Sequence, residues 1–369
     1  MTSNVFSPGT PSPPRLGPRA SVAIMLVAAL SPFLLGIDAI VPFFASHQTE
    51  WSRVIDERVH TTAAAMPSPK VIFVGGSNVM FGINPPSLAA RLGLPVIAYG
   101  VNAGVGLDLI VARAESLIAP GDLVVLMPEI AHFRSTRTGD DAIRGDWINL
   151  FGDQSHFGDR TGNAVGRFPL RQWIASRERC RRVISTAENR LLGSALVLRS
   201  RWRGIATAAR PPGPYDIRSI APEGHNTAPR PGPLTVFKGV PLVGVSPADW
   251  ERSLGAAGVR RMASIGRQRG VRWVVFPGVL STAGDPPPDP RRLRAMLQDE
   301  QQLLNYAARL GAEPFLPPGN SLLIGPYIFD TLNHLNDEGV KVLEVRLMPA
   351  LQAITRGRVM GLATLPEVP

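Results

Sequence analysis

Between Lys70 and Gly82 the chain passes from four consecutive apolar residues, Val71-Ile72-Phe73-Val74, straight into Gly75-Gly76-Ser77-Asn78. A short β-branched and aromatic run bounded by glycines suits a strand buried on both faces, as in the middle of a parallel sheet. The paired glycines permit a sharp turn, which places the Ser77 hydroxyl at the carboxyl end of that strand. Ligands of open α/β sheets bind at that edge. The stretch therefore points to a fold class; taken alone, a Gly-Gly-Ser turn after a strand is more often only a turn, and what makes it more lies downstream.

The flanking sequence continues the pattern. Asn84-Pro85-Pro86 opens a helix that runs through Arg91 and closes at Gly93. Residues 95–99 read as a second strand, leading into Gly100-Val101-Asn102-Ala103-Gly104, and 107–118 have helical periodicity. Residues 122–127 form a third buried strand that ends at Pro128-Glu129. After an interruption, a helix is expected over 247–268, a fourth strand over 271–276 and a helix from the 286–290 prolines through 310. A fifth strand at 313–316 and a last helix from Asn336-Asp337 to 354 complete the series. Strands alternating with helices of this length imply right-handed βαβ units and a parallel sheet. The interruption, 136–245, holds Arg-rich helical patches and Pro-Gly loops, and is expected to pack as an insertion or cap over the sheet's carboxyl edge.

The amino terminus has a different character. Residues 1–19 are rich in Pro, Ser and Gly and are expected to form a disordered cytoplasmic tail. The apolar segment from Ala20 to Ala45 is long enough to cross about 30 Å of hydrocarbon. Arg15 and Arg19 precede it, so the positive-inside rule places the remainder outside the cytoplasm. A cleaved signal peptide is the competing reading. The best small-x-small site, Ala29-Leu30-Ser31, is followed by Pro32, which disfavours cleavage. Residues 46–69 then read as a juxtamembrane helix and linker, with Trp51 at the membrane interface and His47 and His60 facing solvent.

The net charge of +10 is carried by arginine, since Lys70, Lys238 and Lys341 are the only lysines. That balance suits an anionic membrane surface or an acidic polysaccharide, and a GC-rich genome would produce the same bias. No basic run is interleaved with aromatics as in a nucleic-acid module, so nucleic acid is disfavoured. Cys180 is the single cysteine, which excludes an intrachain disulfide and a Cys-based zinc site. No His or carboxylate cluster suggests a metal, and neither a G-x-G-x-x-G nor a P-loop pattern is present, so no cofactor is expected.

A second cluster, Phe329-Asp330-Thr331-Leu332-Asn333-His334-Leu335-Asn336-Asp337-Glu338-Gly339, precedes the last helix. Serine early with aspartate and histidine late is one of the chain orders that hydrolytic triads use. In that reading Ser77 is the nucleophile, His334 its base and Asp330 the group that orients the imidazole. His132, after the third strand, is the next candidate base.

Gly75-Gly76-Ser77-Asn78 resembles the first block of the SGNH (GDSL-like) hydrolase superfamily, and 330–339 resembles its last block. The likeness is to membrane-anchored bacterial members that handle O-acyl groups on envelope polysaccharides, and it covers roughly 70–135 and 271–351. It implies a flavodoxin-like three-layer α/β sandwich with a parallel sheet, built from 70–135 and 246–356, with 357–369 as a carboxyl-terminal tail. It also implies an esterase or O-acyltransferase using a Ser acyl-enzyme on an acylated exported polysaccharide or cell-wall glycan. Such a protein would sit as a single-pass protein in the bacterial inner membrane, its α/β domain periplasmic, beside a membrane-bound acyl-transfer partner.

Two features depart from the family pattern. The commonest spacing puts the aspartate three residues before the histidine; here that residue is Thr331, and Asp330 lies four before, as in some membrane-linked relatives. The third block ordinarily supplies an oxyanion-hole asparagine where this chain has Pro128-Glu129. The expected oxyanion donors are therefore the Ser77 and Gly104 backbone N–H groups and the Asn102 side chain. Asn78 and Glu129 are expected to contact substrate, and Glu129 reads equally well as a solvated strand end. The missing asparagine motivates one alternative, a non-catalytic envelope assembly protein that uses the same fold for binding.

Overall fold

The computed structural model describes residues 47–133, 147, 212–232, 244–282, 289–324 and 326–357. The tail 1–19, the apolar segment from Ala20 to Ala45, Cys180, most of the expected insertion and residues 358–369 lie outside them. The chain divides into two units, Met1–Ala45 and Ser46–Pro369, and every described residue belongs to the second. Among the described residues no helix is long and apolar enough to cross a membrane.

The order is α1 (His47–Ala65), β1 (Val71–Gly75), α2 (Ser77–Gly82), α3 (Pro85–Leu92), β2 (Val96–Gly100), α4 (Leu107–Ala114) and β3 (Leu123–Met127). There follow α5 (Pro247–Arg252), α6 (Leu254–Arg269), β4 (Arg272–Val275), β5 (Leu280–Thr282), α7 (Pro290–Arg309), β6 (Leu322–Ile324) and α8 (Asp337–Thr355). β2, β1, β3 and β4 form, in that order, a parallel sheet. Val71 is level with Val96 on one side and with Leu123 on the other.

Every residue of β1, β2 and β3 is buried, as their unbroken apolar runs require. Alternate strand residues enter different cores. Ile72, Val74, Tyr99 and Leu126 pack with residues of α1, α4 and α6, whereas Phe73, Ala98, Val125 and Met127 pack with residues of α3 and α8. The sheet is thus the middle of three layers. Helix ends follow their local chemistry. Asn84 accepts the Ser87 N–H at 3.3 Å ahead of Pro85, and Gly93 closes α3 with φ of 70°. Asn336 caps α8 by accepting the Gly339 N–H at 2.9 Å.

Several expectations need correction. The helix over 247–268 is two helices, because the Ser253 hydroxyl accepts the Ala256 N–H at 3.0 Å and caps a new start. In place of a fifth strand at 313–316 there is a single parallel bridge from Glu313 to Val274, beside β4. β5 and β6 pair instead in a separate two-stranded parallel sheet. Helix α1 is part of the domain and not a linker, since Trp51, Ile55, Val59 and Ala63 form one stripe buried in the core. Trp51, only 7% exposed, therefore does not sit at a membrane interface. His60 is half-buried, its Nδ1 2.8 Å from the Asp56 carbonyl and its Nε2 2.9 Å from Ser116 Oγ. Residues 212–232, expected within the insertion, are bonded to the α/β core. The Ala98 N–H donates to the Glu223 carbonyl at 2.9 Å, and the Asn226 N–H donates to the Met80 carbonyl at 3.1 Å. That segment covers the free edge of β2.

Candidate active site

After β1 the chain moves to β2 on one side, and β3 is laid on the other. The carboxyl ends of β1 and β3 therefore bound a crevice at the point where strand order reverses. Gly75 is paired with Met127 there. A Cβ on Gly75 would lie 2.4 Å from the Met127 carbonyl oxygen, and one on Gly76 would lie 2.5 Å from Glu129 Oε1. The two glycines are what let α2 begin flush against the end of β3. Ser77, the first residue of α2, leaves the sheet at this point.

The opposite side of the crevice is a tight loop. The Phe329 N–H donates to the His334 carbonyl at 2.8 Å, the His334 N–H donates to the Thr331 carbonyl at 3.2 Å, and Ile328 bridges to Leu335. This curl carries Asp330 back beside His334 despite the four-residue spacing. His334 Nδ1 is 2.7 Å from Asp330 Oδ1, and its Nε2 is 2.8 Å from Ser77 Oγ. The imidazole, 8% exposed, stacks on Phe81 with centroids 4.1 Å apart. Burial raises the Asp330 carboxyl, but hydrogen bonds from His334 and Tyr215 and the charge of the imidazole outweigh it and leave it below its ordinary value. A carboxylate there accepts the Nδ1–H, which leaves the Nε2 lone pair for the Ser77 hydroxyl.

Sequence reading missed Tyr215. Its hydroxyl donates to Asp330 Oδ2 and lies 3.2 Å from His334 Nδ1. Burial pushes the phenol well above its ordinary pKa, and the hydrogen bond to Asp330 and the carboxylate's charge push the same way. Its backbone is held locally, because Asn226 Nδ2 donates to the Pro214 carbonyl and Ser219 Oγ donates to the Gly213 carbonyl at 2.8 Å.

The remaining candidates are placed differently from expectation. Asn102 Oδ1 accepts the Gly104 N–H at 2.8 Å and caps the turn at Ala103–Val105, so that N–H is already committed. Asn78 is fully buried and donates to the Met127 carbonyl at 3.3 Å, which removes it from a substrate surface. Glu129 is a buried brace and not a solvated strand end, with Oε2 accepting from Asn333 Nδ2 at 3.1 Å. Its Oε1 is buried without a hydrogen-bond partner among the described residues. His132 is unsuited to act as the base. Its Nδ1 accepts the Glu129 N–H at 3.1 Å, its Nε2–H donates to the Ala103 carbonyl at 3.1 Å, and burial lowers its pKa. Among the described residues no group of His, Cys, Asp and Glu side chains is arranged to hold a metal ion. The chain matches no protein-family model, no curated protein and no solved structure.

Proposed function

We propose that the protein is an SGNH-like serine esterase or O-acyltransferase that works through an acyl-enzyme on Ser77. The observation that carries this reading is the hydrogen-bonded chain Ser77–His334–Asp330, assembled from segments 257 residues apart at the crevice between β1 and β3. The strand order β2-β1-β3-β4, with Glu313 bridged beside β4, supports a flavodoxin-like sandwich beneath it.

In this mechanism Ser77 Oγ attacks the acyl carbon while His334 Nε2 takes its proton. The imidazolium, steadied by Asp330, returns that proton to the departing alkoxide, leaving the acyl group on Ser77. Water or a sugar hydroxyl, deprotonated by His334, then attacks the acyl-serine; the Ser77 Oγ–acyl bond breaks, the imidazolium returns its proton to Oγ, and the acid or the new ester leaves. The Ser77 N–H, the Asn102 Nδ2 group and the second N–H of Asn333 Nδ2, whose first is given to Glu129 Oε2, are the donors for the developing oxyanion. The resemblance to membrane-anchored family members supplies the substrate class, an acylated exported polysaccharide or cell-wall glycan, and the placement at the inner membrane with an acyl-transfer partner. The committed Gly104 N–H, with Glu129 in place of an asparagine, favours the second reading, a glycan-binding assembly protein.

Mass spectrometry of the full chain after incubation with p-nitrophenyl acetate separates the two. An acetyl adduct on Ser77, absent from Ser77→Ala and strongly slowed in His334→Ala, is expected. A folded protein that forms no adduct and shows no turnover sinks the enzyme reading in favour of binding.

A further inference from the structure

Asp330 has two carboxylate oxygens, and only Oδ1 is used by His334. Oδ2 takes the Tyr215 hydroxyl, contributed by a segment 115 residues upstream in the chain. The Tyr215 oxygen is also 3.2 Å from His334 Nδ1. Its hydrogen is given to Asp330, so its own lone pair faces the same imidazole N–H that Asp330 Oδ1 accepts. Two acceptors thus converge on Nδ1, and both favour the tautomer in which Nε2 is free for Ser77.

This matters because Asp330 sits on a loop, where no regular element fixes its side chain, and is half-buried. His334 and the Thr331 backbone N–H also hold that carboxylate, but without the phenol it can still turn about its own axis and exchange partners with water. The phenol blocks that rotation, provided the phenol is itself fixed. Although Tyr215 is 42% exposed, one side of its ring packs against Phe81 and Trp51 at centroid distances of 5.6 and 6.0 Å, which fixes it. Phe81 is the ring on which His334 stacks, so one aromatic cluster holds base and phenol together.

We propose that Tyr215 is a positioning residue, which through Asp330 holds His334 in the Nδ1–H tautomer aimed at Ser77, so that segment 212–232 completes the site. The proposal rests on the acyl-enzyme reading for its consequence in turnover, but not for its consequence at the imidazole.

The test is Tyr215→Phe in the full chain, which keeps the ring and removes the hydroxyl. With only six histidines, selective ¹⁵N-histidine labelling resolves the ring of His334, assigned through His334→Gln. Losing a hydrogen bond to a charged group is worth roughly a factor of ten or more. We expect the His334 Nδ1–H to exchange with solvent about tenfold faster, and the other tautomer to become populated. For p-nitrophenyl acetate, kcat should fall about tenfold with KM within about twofold. Unchanged exchange and tautomer populations overturn the proposal, whatever happens to turnover. An altered imidazole in a protein that never acylates Ser77 upholds the positioning role and removes the enzymatic one instead.

Discussion

Gly75 and Gly93 are both required by the fold, for different reasons, and replacing each with alanine separates space from backbone conformation. Gly75 is not left-handed, so only room excludes a side chain there. The new Cβ would stand 2.4 Å from the Met127 carbonyl oxygen and 2.8 Å from Val79 Cγ2. Ordinary contact begins near 3.4 Å, so β1 and β3 must part by about 1 Å at their carboxyl ends. Overpacking of this kind costs about 1–3 kcal/mol, and a backbone oxygen cannot rotate away, which puts Gly75→Ala toward the upper end. The smaller entropy of the unfolded alanine chain offsets about 0.4–1 kcal/mol, leaving a net loss of about 2 kcal/mol. Ser77 is two residues further on, and its 2.8 Å bond to His334 does not survive a displacement of that size. Misplacement by about 1 Å costs on the order of a hundredfold in rate. Gly93→Ala meets no atom within 4 Å but must hold φ of 70°, a strain of about 1–2 kcal/mol remote from Ser77, which the same entropy offset reduces to about 1 kcal/mol or less. Urea denaturation should therefore show both variants destabilised, while, on the proposed acyl-enzyme reading, turnover of an activated ester falls only in Gly75→Ala. A Gly75→Ala protein as stable and as active as the parent would refute the close-approach reasoning.

Two further outcomes follow from buried charge. Lys70 Nζ and Asp122 Oδ2 pair at 2.8 Å with side chains 4% and 0% exposed, at the end of the sheet opposite Ser77. Asp122 also accepts the Lys70 and Ala119 N–H groups at 3.0 and 2.8 Å, so Asp122→Ala strands a buried ammonium and two donors. A loss of about 3–5 kcal/mol is expected by chemical denaturation, and one below about 1 kcal/mol would contradict the pairing. His132, whose pKa burial lowers from its ordinary 6.5, binds a proton more weakly folded than unfolded. Its contribution to stability is therefore present above pH 6.5 and lost as pH falls below it. His225 titrates with the same sign, again mainly through burial. His132→Gln should flatten the acid-side decline in stability without abolishing it; an unaltered pH profile would show that His132 is solvated in solution.

The sheet was legible because its strands carry their own signal. Val71–Val74 and Leu123–Met127 are apolar throughout, which only a strand covered on both faces tolerates, and both lie within the strands or one residue of their ends. Capping chemistry was equally local, at Asn84, Gly93 and Asn336. What failed was anything decided by a distant partner. Trp51 beside a long apolar segment reads as an interfacial anchor, yet its stripe finds the sheet face. β5 and β6 have three residues each, too short for any periodicity, and exist because Leu280 and Leu322 meet across the fold.

The site divides along the same line. Ser77, Asp330 and His334 could be named because chain order and the glycine turn carry information within a dozen residues of each. Gly104 looked available as a donor only because a sequence does not show that its N–H is given to Asn102 Oδ1 at 2.8 Å. Tyr215 had no local mark at all. It follows Pro-Pro-Gly-Pro in a stretch that reads as loop, and its meaning comes from Asp330, 115 residues away. Glu129 shows most clearly how the two kinds of information combine. As a residue type, a glutamate at the end of the third strand reads as an exposed strand end. In the fold it reaches Asn333, the neighbour of His334, while its own N–H is fixed by His132. A side chain shorter by one methylene would fall short of that amide. Glu129 and Asn333 thus make physical sense only together: the carboxylate at the end of β3 braces an amide on the loop that carries the histidine.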